Sequence, residues 1–82
     1  MDCNHNKLKA KEKASSVEIE IIRYLKENLE KQFFVEGEEI KFTIIEGRLY
    51  ANWALWDEEN EWNKFSEYDI TQQNQIKNEI IK

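Results

Sequence analysis

Tyr50, Trp56 and Trp62 stand close together in the chain, with Asp57, Glu58, Glu59 and Glu61 between the two tryptophans. Aromatic side chains supply contact area with one polar handle each, and carboxylates supply direction and sign. The combination therefore suits recognition of a basic partner better than it suits catalysis. Covalent chemistry needs a nucleophile, a base or a metal held in a cleft, and the inventory for that is short. Cys3 and His5 are the only cysteine and histidine, so they offer two ligands where a structural zinc site takes four. Glu58, Glu59 and Glu61 crowd one short stretch open to water, where solvation of a turn explains them and nothing raises a carboxylate's proton affinity. Asp57 and Glu59 lack the regular ligand spacing of a calcium loop. Two glycines cannot build a phosphate-cradling loop. The expectation is a non-enzymatic chain with no cofactor and no metal.

Composition narrows the partner. At 82 residues the chain has room for one domain and one core. Its 40% apolar and 12% aromatic content is that of a folded domain, despite 35% charge. One cysteine excludes an internal disulfide, so aromatic bulk must supply what small domains usually obtain from cross-links. Residues 1 to 14 carry four lysines against two acids, whereas residues 15 to 82 carry eight basic and fifteen acidic side chains. The first segment reads as a flexible basic arm and the rest as an acidic α+β domain. An acidic domain opposes phosphate, which disfavours direct nucleic-acid binding. No apolar run is long enough for a membrane span or a signal peptide, and the end "NEIIK" resembles no lipidation signal. The expected location is cytoplasmic.

The elements that must position these residues follow from periodicity. Ser15 or Ser16 can cap a helix over 16–33, with Glu18 in its first turn, where the macrodipole favours negative charge. Val17, Ile21, Leu25 and Leu29 recur at i, i+4, flanked by Ile22 and Phe33, and form one buried stripe. Glu18 falls with the polar residues of the opposite side. Gly37 ends the connection leaving this helix. "IKFTII" alternates and is rich in β-branched and aromatic residues, as a strand should be.

Glu46-Gly47 suits a two-residue hairpin turn. Taken literally, that turn places Ile45 opposite Arg48, Ile44 opposite Leu49, Phe42 opposite Ala51 and Ile40 opposite Trp53. One face is then wholly apolar and a slip of one residue would destroy the separation. Leu55 continues on the core side, and Tyr50 and Trp56 on the other. "DEEN" reads as a second turn, with a loop at Glu58 to Asn60 that pairs Trp56 with Trp62, Ala54 with Lys64 and Trp53 with Phe65. For the last helix two starts compete, Ser66 with Asp69 or, preferred, Thr71, and Ile76, Ile80 and Ile81 with Gln73 form its narrow stripe.

The resulting expectation is an α+β domain of order αββ(β)α. An antiparallel two- to three-stranded meander, with strands near 39–46, 48–57 and 61–65, packs on the N-terminal amphipathic helix, and a C-terminal helix over 71–81 follows. Trp53, with Phe42, Leu55 and Phe65, belongs to the core. Tyr50, Trp56 and Trp62 land on the outer face, which either the last helix covers or solvent meets, the second being favoured. The function this implies is a small protein-interaction or regulatory module. It binds a protein with a basic surface through Tyr50, Trp56 and Trp62, rimmed by Asp57, Glu58, Glu59 and Glu61. The alternative is an acidic inhibitor that mimics nucleic acid and occupies a basic groove on another protein. An exposed tryptophan pair would also suit a homodimer.

Overall fold

The helix demanded by the Val17, Ile21 and Leu25 stripe is present but shorter than expected. In a computed structural model, which describes residues 13–81, α1 spans Ser16–Lys26. Ser15 is its N-cap and accepts the Glu18 N–H at 3.0 Å. The helix stops because the Asn28 side-chain amide donates to the Tyr24 carbonyl at 2.8 Å, while Glu27 N–H and Asn28 N–H turn back to Tyr24 and Leu25. Leu29 therefore lies beyond the helix and is 78% exposed, not part of the buried stripe.

Phe33, expected at the helix end, opens a strand instead. β1 (Phe33–Val35) pairs antiparallel with β2 (Glu38–Ile45) through the turn Glu36-Gly37. This turn repeats the chemistry of Glu46-Gly47, which joins β2 to β3 (Arg48–Trp53). In both, the glutamate and the glycine take positive φ, at 52° and 82° in the first and 51° and 77° in the second. That is the mirror-image turn whose twist matches a hairpin. Gly37 thus closes a hairpin and does not simply end a loop.

The β2–β3 register is the one the alternation required, from Ile45 opposite Arg48 to Ile40 opposite Trp53. β4 is short, Asn63–Lys64, and pairs Lys64 with Tyr50 and Asn63 with Ala51. The expected pairings of Trp56 with Trp62, Ala54 with Lys64 and Trp53 with Phe65 are replaced, because β3 ends at Trp53 and a longer loop follows. A 3₁₀ turn, Phe65–Glu67, leads to α2, Ile70–Ile80. Its cap is Asp69, which accepts the Gln72 N–H at 2.8 Å, so neither Ser66 nor Thr71 starts the helix.

The architecture is α+β: a four-stranded antiparallel sheet, ordered β1-β2-β3-β4, preceded and followed by a helix. Val17, Ile21, Ile22 and Leu25 of α1 and Ile76 and Ile80 of α2 share one core with Phe33, Val35, Ile40, Leu49, Ala51 and Phe65. Both helices thus lie on the same sheet face, and the Phe34, Lys41, Thr43, Ile45 and Tyr50 face carries neither.

Two polar ties fix the helices. Glu18 is only 1% exposed; it accepts from Arg48 Nε (2.9 Å), Arg48 Nη2 (3.2 Å) and the Leu49 N–H (2.9 Å). Ser15 Oγ donates to Gln73 Oε1 at 2.7 Å, and Gln73 Nε2 donates to the Tyr68 carbonyl at 2.8 Å. Cys3, His5 and most of the expected arm lie outside the described residues.

The ladder also leaves an edge. The Glu39 carbonyl accepts the Ala54 N–H at 3.1 Å, so odd positions of β2 turn their main-chain groups toward β3. Even positions turn toward β1, which reaches only as far as Ile40. The main-chain groups of Phe42 and Ile44 therefore have no strand partner among the described residues.

Candidate functional site

The turn after β3 decides where the aromatic residues go. Asp57 accepts the Trp53 N–H at 2.8 Å with its carboxylate, and the Trp53 carbonyl accepts the N–H groups of Trp56 (3.0 Å) and Asp57 (2.8 Å). This tight reversal breaks the strand alternation that would have kept Leu55 on the core side. Leu55 is instead 73% exposed. The same reversal carries Trp56 away from Tyr50 and over Glu38, whose carboxylate accepts its indole N–H. Glu38 pairs with Val35 on the helix-bearing face, so Trp56 belongs to that side and not to the outer one.

The rest of the loop is held by amide side chains. Asn52, buried, donates to the carbonyls of both Glu58 and Glu61 at 2.7 Å. Asn63 donates to the Asp57 carboxylate at 3.1 Å. Glu61 accepts the Glu58 N–H at 3.2 Å. Asp57 is thus a structural residue of the loop, whereas Glu58 and Glu59 present exposed carboxylates. Trp62 is half-buried just before β4. Tyr50, also half-buried, stands on the opposite face and lines a small hollow with Arg48, Lys64 and Ser66. The seven residues expected to form one patch are distributed over two faces and a loop.

What the fold assembles around Trp56 is a groove of about 300 Å³ between the first hairpin, the β3 end and α2. Val35, Glu36, Glu38, Trp53, Trp56, Gln72, Gln75 and Ile76 line it. Trp56 remains 71% exposed although its indole N–H is engaged. Trp53 is half-buried against the core, and its indole N–H donates to the Tyr68 hydroxyl at 3.2 Å. Burial pushes the Tyr68 phenol above its ordinary value of 10.0; the Trp53 hydrogen bond opposes this, and the charges of Asp57 and Glu67 add to it. Tyr68 is therefore a neutral hydroxyl at physiological pH, a stable acceptor for Trp53. The Glu36 N–H is also occupied, donating to Glu79 Oε1 at 2.9 Å.

Sequence reasoning singled out Trp56 and missed its neighbours Glu36, Glu38, Gln72 and Gln75. The overlooked signal was the Glu-Gly dipeptide at 36–37, which matches the one at 46–47 and folds Glu38 onto the sheet face. Among the described residues no group of three or more His, Cys, Asp or Glu could hold a metal ion, and no helix is long and apolar enough to cross a membrane. The groove offers aromatic faces, carboxylates and amides. No protein-family model, curated protein or solved structure matches this chain.

Proposed function

We propose that this protein is a small non-enzymatic interaction module that binds a protein partner through the surface centred on Trp56. The observation that carries the reading is a tryptophan 71% open to solvent yet oriented by a hydrogen bond to Glu38. Leaving such a large apolar ring in water forgoes burial energy, and a ring already oriented loses little entropy on docking. Tryptophan is also among the side chains that dominate interface energetics. The partner has a basic surface, because the groove walls carry Glu36 and Glu38 and the adjoining loop carries Glu58, Glu59 and Glu61. A reducing, cytoplasmic setting suits a chain whose single cysteine allows no internal disulfide.

Support for a contact smaller than the sequence suggests comes from the separation of Tyr50 and Trp56 onto two faces. Tyr50 stands on the face where Lys41 and Arg48 also project, so an acid-rimmed contact runs through Trp56 and not through the three aromatic residues together. The test is affinity capture from the native cell extract with wild-type and Trp56→Ala chains, followed by calorimetry on the purified partner. The substitution should weaken binding by about 2 kcal/mol, roughly thirtyfold. Equal affinity of the two chains would remove Trp56 from the interface.

A further inference from the structure

Three hydrogen-bond donors that could face a ligand in the Trp56 groove are already engaged. The Trp56 indole N–H is held by Glu38, the Trp53 indole N–H by Tyr68, and the Glu36 main-chain N–H by Glu79. What the groove still presents is the open face of Trp56, the edge of Trp53, the second oxygen of Glu38, the carboxylate of Glu36 and the amides of Gln72 and Gln75. Among the described residues no lysine or arginine lines it. An anion would meet carboxylates, and a purely apolar ligand would desolvate them without return. A cation matches both the aromatic face and the carboxylates.

We propose that this groove takes an arginine side chain of the partner, its guanidinium lying on the Trp56 ring and donating to Glu38. The inference rests on the reading of Trp56 as the contact surface and adds what that contact recognises. Arginine fits better than a compact ammonium because a planar, weakly hydrated guanidinium stacks on an indole and forks onto a carboxylate at the same time. Glu38 then has two roles through two oxygens: Oε1 orients the indole, and Oε2 is the ion-pair partner. Gln72 and Gln75, one turn of α2 apart, offer side-chain carbonyls to the remaining guanidinium donors.

The probe is a single-charge peptide, Ac-Gly-Ala-Arg-Ala-Gly-NH2, compared with the same peptide carrying norleucine in place of arginine. Binding is followed by nuclear magnetic resonance at the indole N–H signals of Trp53 and Trp56. The arginine peptide should shift both signals saturably and bind about tenfold more tightly than the norleucine peptide. Trp56→Ala and Glu38→Gln, both at sites accessible to solvent, should each weaken the shift at Trp53 about fivefold or more while leaving the spectrum dispersed. Equal binding of the two peptides overturns the cation assignment and leaves Trp56 as a contact. So does a shift spread over Glu58, Glu59 and Glu61 that survives both substitutions, since that is general charge attraction. Absence of any shift at the two indoles also overturns it. The underlying reading fails separately, when Trp56→Ala leaves affinity for the captured partner unchanged.

Discussion

Glu18 shows how one side chain can change its meaning between sequence and fold. Its place in the first turn of a helix suggested a solvated acid favoured by the macrodipole, yet it is buried and accepts three hydrogen bonds from Arg48 and Leu49. The helical stripe alone does not reveal this, because the pairing partner lies in a distant hairpin and enters only when the sheet packs. Removing Glu18 takes the acceptor from the buried Leu49 N–H and breaks the ion pair with Arg48, whose side chain is 30% exposed. Glu18→Ala should therefore cost about 3 kcal/mol in urea unfolding, a large share of the roughly 5 kcal/mol at the low end for small domains. Glu18→Gln keeps an acceptor for the Leu49 N–H and should cost less, about 1–2 kcal/mol. Equal, small losses for both would show that Glu18 is not the tie between α1 and β3.

Among the elements, what could be read in advance was whatever local chemistry dictates. The β2–β3 register followed from one Glu-Gly turn and a clean alternation, and the helix stripes bury Val17, Ile21, Ile22 and Leu25 and Gln73, Ile76 and Ile80, whereas Leu29 stays exposed and Ile81 is only half-buried. β1 was hidden because Leu29 and Phe33 happen to continue the four-residue spacing of α1, while the Asn28 amide that ends the helix leaves no mark in a hydrophobic pattern. The β3–β4 pairing was hidden for a related reason: Asn52, Asp57 and Asn63 build the loop through side-chain bonds to main chain and to each other. The same loop split the candidate site, moving Trp56 to one side and leaving Tyr50 on the other. The sheet edge yields a prediction of its own. Amide exchange at Phe42 and Ile44 should be at least about tenfold faster than at Thr43, whose main chain faces β3. Equal protection at the three positions would mean that the edge of β2 is covered.

At the scale of the whole molecule, both helices occupy one sheet face, and the groove opens where that face ends, between α2 and the first hairpin. Three segments far apart in sequence meet there: the β1–β2 turn with Glu36 and Glu38, the reversal after β3 with Trp56, and α2 with Gln72 and Gln75. Their negative charge matches a chain of net charge −5, so salt should slow association with a basic partner while the aromatic contact sustains affinity. The most direct test of this account is the paramagnetic attenuation of the Trp56 indole N–H by a soluble relaxation agent, measured on the free monomer and again with the captured partner bound. The account predicts strong attenuation in the free chain, above that of Trp53, and its loss in the complex. A Trp56 signal shielded in the free monomer, or one still fully attenuated in the complex, would contradict it.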